Sequence, residues 1–117
     1  MGEDKKIILL IEDDRMTIDI VMMMTEDENF ELISARTLKE AEAVTEDVSL
    51  YDLIFLDGSL GANAELDTLP ILAKIKATGF NKPIIAISNS HNDKLVRAGA
   101  DHGVSKDRII NEILKIL

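Results

Sequence analysis

The stretch Ile7-Ile-Leu-Leu-Ile-Glu-Asp-Asp14 decides how this chain is read. Five consecutive aliphatic residues without polar alternation suit a strand buried on both faces, the environment of a parallel sheet. Asp13 and Asp14 then supply helix-start chemistry, and Met16, Ile20, Met23 and Met24 follow at helical spacing up to about Asp27. Short apolar runs keep alternating with amphipathic stretches to the end. Phe30 to Ile33 predicts a second strand. Thr37 with Glu40 fits a capping box that opens a helix from Leu38 to about Glu46. Leu53 to Leu56 is another buried-strand run, ending at Asp57 and followed by a loop over 58–66 containing Gly58, Ser59, Gly61 and Asn63. Pro70 suits the first turn of a helix carrying Ile71, Leu72 and Ile75, with Lys74 and Lys76 exposed and Gly79 at its exit. Pro83 opens a strand over Ile84 to Ile87. A short helix from about Asn92 to Ala98 stops at Gly99. Val104-Ser105 reads as a last brief strand, and Asp107 as the cap of a final helix with Ile109, Ile110, Ile113, Leu114 and Leu117 along one side. Five strands alternating with five helices predict an α/β fold with a parallel sheet and right-handed crossovers.

Composition sets limits on function. At 117 residues, 46% of them hydrophobic, one domain over 1–117 is expected. It should bury roughly 65% of the surface its unfolded form exposes. With 13 basic and 22 acidic residues the net charge is −9, which argues against direct nucleic-acid binding and against docking on anionic lipid. The chain is too apolar for a disordered acidic tail. Aromatics at 3% speak against a base-stacking platform. The absence of cysteine excludes a disulfide scaffold, a thiolate metal site and a cysteine nucleophile. The aliphatic run Ile7 to Ile11 falls far short of the ~20 residues of a membrane helix. No small-residue cleavage site follows it, so a soluble, cytoplasmic protein is expected.

In parallel α/β sheets, function sits beyond the carboxyl ends of the strands. Glu12, Asp13 and Asp14 follow the first strand, Asp57 the third, Ser88, Asn89 and Ser90 the fourth, and Ser105, Lys106 and Asp107 the fifth. Carboxylates gathered at one edge cannot all stay ionised without a cation. Carboxylate oxygens select a hard ion, Mg²⁺ before Zn²⁺, and no histidine is needed. A carboxylate beside Mg²⁺, a hydroxyl and a lysine can also attack a phosphoryl group, giving an aspartyl phosphate. Lys106 would neutralise charge on the transferring oxygens and Ser88 would donate a hydrogen bond to one of them.

In these motifs the chain resembles the receiver domain of two-component response regulators, the CheY-like family, over almost everything from Lys5 to Leu117. The resemblance rests on Ile11-Glu12-Asp13-Asp14, Phe55-Leu56-Asp57-Gly58-Ser59, Ile87-Ser88-Asn89 and Val104-Ser105-Lys106, in that order within a (βα)₅ pattern. It implies a flavodoxin-like five-stranded sheet, order 2-1-3-4-5, with helices on both faces. It makes Asp57 the phosphoacceptor, charged by a histidine kinase or phosphotransfer protein. Asp13 would hold Mg²⁺ directly, Glu12 through water, and Ser59 through its backbone carbonyl. Ser88 would be the switch hydroxyl, Lys106 the phosphoryl contact, and Asp14 a helix cap. Apart from its own phosphorylation and dephosphorylation, such a domain is not an enzyme. It signals to a downstream protein, either as a stand-alone shuttle or as part of a longer chain.

Several positions depart from the family pattern. Gly103 stands where an aromatic usually reports phosphorylation, with His102 beside it. Asp107 replaces a proline after the lysine, so a trans Lys106–Asp107 bond or visible strain is expected. The loop after Asp57 lacks its customary Pro and Asp-Gly. The interval from Ser88 to Lys106 is short, predicting a stunted fourth helix, and Asn89 is larger than usual, able either to crowd the acceptor or to change hydrolysis of its phosphate. These departures motivate an alternative: a pseudo-receiver, a protein-interaction module that is never phosphorylated. An aspartate-based phosphohydrolase would want a second acid where Ser59 stands, and a nucleotide site a Gly-rich loop after the first strand. Blander readings are assigned elsewhere. Met22-Met23-Met24 is expected to fill core with one side chain exposed. His91 and His102 are expected to be solvated loop residues, and Thr25 to Glu28 a solvated helix end.

Overall fold

The computed structural model describes residues 5–26, 29–61 and 65–117. Within them the elements run β1 (Lys6–Ile11), α1 (Arg15–Met24), β2 (Phe30–Ala35), α2 (Leu38–Val44), β3 (Leu53–Leu56), α3 (Leu69–Ala77), β4 (Ile84–Ala86), α4 (Asn92–Arg97), β5 (His102–Gly103), a 3₁₀ turn (Lys106–Arg108) and α5 (Ile109–Ile116). The five strands form one sheet, order β2-β1-β3-β4-β5, and every pairing is parallel. Asp27 and Glu28, expected in a helix end, and Asn63, expected in a loop, lie outside the described residues.

The continuous apolar runs are explained by burial on both faces. Leu9, Ile11, Ile54, Leu56, Ile84 and Ala86 pack with Ala41 of α2, Ile71, Leu72 and Ile75 of α3 and Leu95 of α4. Their alternates Ile8, Leu10, Leu53, Phe55, Ile85 and Ile87 pack on the other face with Ile18 and Val21 of α1 and Ile109 and Ile113 of α5. Helix starts follow local chemistry. Asp14 caps α1 by accepting from the Thr17 N–H and hydroxyl at 3.2 and 2.6 Å. Thr37 caps α2 through the Glu40 N–H, and Glu40 reaches back to the Arg36 N–H. Gly79 leaves α3 at φ +82°, a left-handed exit that suits glycine.

Several expectations are corrected. The last strand is His102–Gly103, not Val104-Ser105: the parallel register pairs His102 with Ile85 and Gly103 with Ala86. A two-residue exposed edge strand carries no apolar signature in the sequence. Asp107 does not cap the final helix. It lies inside the 3₁₀ turn and its carboxylate accepts from the Ser105 hydroxyl. On α1 the buried residues are Ile18 and Val21, while Met16, Ile20, Met22, Met23 and Met24 are all exposed. Two apolar stripes at helical spacing ran side by side, and periodicity alone does not say which one faces the sheet. Leu114 is likewise exposed, whereas Glu112 is buried. Lys74 is half-buried, its ammonium donating to the Glu42 carbonyl and to Glu46. Helix α4 is short, as expected, and no cis peptide bond occurs among the described residues.

Candidate functional site

Because all five strands run parallel, the residues leaving them meet along one edge. Glu12 follows β1 and is completely buried, its N–H held by the Ala35 carbonyl of β2. Asp57 follows β3, is 4% exposed, and its N–H bonds the Ile11 carbonyl. This cross-strand bracing fixes two carboxylates on adjacent strand ends. Carboxylate oxygens of Glu12, Asp13 and Asp57 lie within 4.8 Å of one another. The Lys106 ammonium enters from beyond β5, 3.0 and 3.1 Å from the two Glu12 oxygens and 3.2 Å from Asp57 Oδ2. Glu12 Oε2 also accepts from the Asp14 N–H at 3.0 Å.

Asp13, Asp57, Ser59, Ser88 and Lys106 line a cleft of about 180 Å³, joined by Asn89, Ser90 and His91. Ser88 is 5% exposed and its hydroxyl accepts from the His91 N–H at 3.1 Å. Ser59 donates its N–H to Asp57 Oδ1 at 3.4 Å. All six candidate site residues therefore converge. Asn89 is exposed at the rim rather than pressed on the acid.

The electrostatics follow from burial. Glu12 is pushed up to about 8, first by loss of water and then by the neighbouring Asp57 carboxyl. Burial pulls the Lys106 ammonium down, but the carboxylates of Glu12 and Asp57 outweigh it and hold its pKa above the ordinary lysine value. A proton on Glu12 and the Lys106 charge thus neutralise a crowded acidic edge. A divalent cation held by oxygen ligands would do the same job, so the donor set fits Mg²⁺.

The sign of the pH effect follows. Between 4.5 and about 8 the folded state holds a proton on Glu12 that the unfolded chain has lost. Stability of the metal-free protein should therefore fall as pH rises through that window. The check is the urea midpoint in chelator, compared with Glu12→Gln, which lacks the titration. The difference between the two should shift steadily against the wild type; a flat difference contradicts the assignment.

Further residues serve the site without a sequence signal that singled them out. Thr68 heads α3, but its hydroxyl donates to the Asp57 backbone carbonyl at 2.7 Å instead of capping the helix. Asp67 accepts from the Leu60 N–H and donates its own N–H to the Gly58 carbonyl, tying the start of α3 to the residues that follow Asp57. His91 is half-buried and lies against Gly58, where any Cβ would come 2.7 Å from the His91 Cβ. It is not a solvated loop residue. His102 sits in β5 and its Nε2 lies 2.6 Å from Glu112 Oε1.

An acidic edge with a lysine, on a (βα)₅ sheet of this order, defines the receiver class, and the comparisons agree. The response regulator receiver domain family matches residues 8–117, and the chain belongs to that family. A CheY-like response regulator receiver domain protein from Methanospirillum hungatei superimposes with a TM-score of 0.75 at 22% identity, covering 96% of this chain and 93% of that one. The receiver domain of the Francisella response regulator 1452 gives 0.73 at 21% identity, covering 95% and 92%. NtrX from Brucella abortus gives 0.76 at 27% identity, with 97% of this chain matched to 27% of that longer one. No curated protein sequence matches significantly.

Proposed function

We propose that this receiver domain takes a phosphoryl group onto Asp57 from the phosphohistidine of a histidine kinase or phosphotransfer protein, in a Mg²⁺-dependent step of a two-component phosphorelay. The observation that carries this reading is the gathering of three carboxylates and one lysine around a single cleft. An Asp57 oxygen would attack phosphorus while the P–N bond breaks, its electron pair staying with the donor imidazole. Glu12, Asp13, Asp57 and the Ser59 backbone carbonyl would hold the ion, which supplies charge neutralisation when bound. Lys106, now on Glu12, would meet a phosphoryl oxygen, and Ser88, which lines the same cleft, would donate its hydroxyl proton to another. Beyond this self-modification and its hydrolysis, no enzymatic turnover is proposed. The reading carries with it a cytoplasmic location, where such donors act. Among the described residues no helix is long and apolar enough to cross a membrane.

The metal half of the proposal is tested by melting the native protein with and without Mg²⁺. Mg²⁺ should raise the melting temperature, because an ion that binds only the folded state stabilises it. Asp13→Asn should lose most of that rise. An unchanged melt in the wild type would remove the metal. The pseudo-receiver alternative is separated by partner affinity: equal binding by phosphorylated and unphosphorylated protein would favour it.

The exposed stripe of α1 suggests where the donor protein docks. Met16, Ile20 and Met24 line a groove of about 490 Å³ between α1 and α5, and Lys106 lines both that groove and the acidic cleft. Continuity with the reacting edge argues for the phosphodonor as occupant. Ile20→Glu should slow transfer from a protein donor while leaving labelling by a small phosphodonor unchanged; equal slowing of both would contradict the docking role.

A further inference from the structure

Gly103 leaves no ring at the edge strand, and the space beside it is filled from α4. A Cβ on Gly103 would stand 2.8 Å from Asn92 Cβ, 2.9 Å from its Cγ and 3.0 Å from its Nδ2. Asn92 uses both ends of its amide. Its Oδ1 accepts from the Ser88 N–H at 2.7 Å, and its Nδ2 donates to the Val104 carbonyl at 3.1 Å. The Val104 N–H in turn bonds the Ala86 carbonyl of β4 at 2.9 Å. One side chain therefore ties the segment that bears the Ser88 hydroxyl to the end of β5, through the space the missing side chain leaves open.

We infer that Asn92 is a positioning residue: its amide fixes Ser88 at the cleft and transmits any movement of Ser88 directly to residues 102–104, in place of a mobile ring. The geometry explains two departures together. Only glycine at 103 lets the amide lie against the strand, and only a short side chain bearing both a donor and an acceptor spans from β4 to β5. A displacement of Ser88 toward an anion on Asp57 pulls on a short hydrogen bond whose other end is anchored on Val104. The exposed surface of β5, where His102 meets Glu112, then reports the state of the cleft.

This inference rests on the acceptor role of Asp57, and the test separates the two. Backbone amide shifts of Ser88 and of residues 102–104 are followed by NMR before and after incubation with Mg²⁺ and phosphoramidate, with intact mass recording phosphorylation in the same samples. In the wild type, both groups of amides should shift on phosphorylation. In Asn92→Asp the carboxylate still accepts from Ser88 but has no proton for Val104, so the response at Ser88 should persist and that at 102–104 should be lost. Gly103→Ala evicts the amide from the other side and should lose the same response with Asn92 intact. Circular dichroism establishes that each variant is folded, and the Gly103→Ala and Asn92→Asp results must agree. Phosphorylation with an undiminished β5 response in both variants would overturn the role of Asn92. Absence of added mass in the wild type would instead overturn the acceptor reading beneath it.

Discussion

Asp57→Asn should take up no phosphoryl group under conditions in which the wild-type chain is labelled, while keeping its fold. Asp57 is 4% exposed, its backbone is held at both ends by the Ile11 carbonyl and the Thr68 hydroxyl, and its Oδ2 faces the Lys106 ammonium. Asparagine preserves the shape and these backbone bonds but removes the anionic oxygen that would attack phosphorus. The loss should be complete rather than graded, because Glu12 is wholly buried and does not line the cleft, and Asp13 would be held by the ion. Intact mass of both proteins after the same incubation is the measurement. Equal labelling would move the acceptor elsewhere.

Phe55→Ala should lower the unfolding free energy by about 3–5 kcal/mol, a large share of the ~5–15 kcal/mol total of a small domain. Phe55 is fully buried in the layer shared by β1, β4, α1 and α5, two residues before Asp57. Removing it takes away the ring's transfer energy and leaves a cavity directly beneath the site. Met23→Ala, on an exposed side chain of α1, should stay within about 0.5 kcal/mol of wild type. Urea denaturation of the two variants decides. A small loss for Phe55→Ala would mean that the layer collapses onto the space, and a large loss for Met23→Ala that the exposed stripe of α1 is covered in solution.

The strand runs were legible because burial on both faces removes polar alternation: Ile7 to Ile11 and Leu53 to Leu56 lie where their composition pointed, and the run Ile84 to Ile87 does so up to Ala86, where the strand ends. The site was legible for the same reason: once the strands are parallel, whatever follows each run must share an edge, which brings Glu12, Asp13, Asp57, Ser88 and Lys106 together. What is not legible depends on contacts that only the folded chain creates. His102-Gly103 is a strand only because Ile85 and Ala86 offer it a ladder. The inward stripe of α1 is chosen by the sheet, not by the helix, since Met16 and Ile20 are as apolar and as well spaced as Ile18 and Val21. Thr68 carries no signal of its own beside Pro70, and Asn92 reads only as the start of a short helix; their work on Asp57, Ser88 and Val104 spans 11, 4 and 12 positions of sequence.

The acidic edge and Lys106 together should act as a Mg²⁺-dependent phosphoacceptor. The most direct test is the intact mass of the wild-type chain after incubation with phosphoramidate, once with Mg²⁺ and once with a chelator. The expected result is a single added phosphoryl group with Mg²⁺, removed by hydroxylamine as an acyl phosphate should be, and none with chelator. No added mass, or equal labelling without the metal, would contradict it.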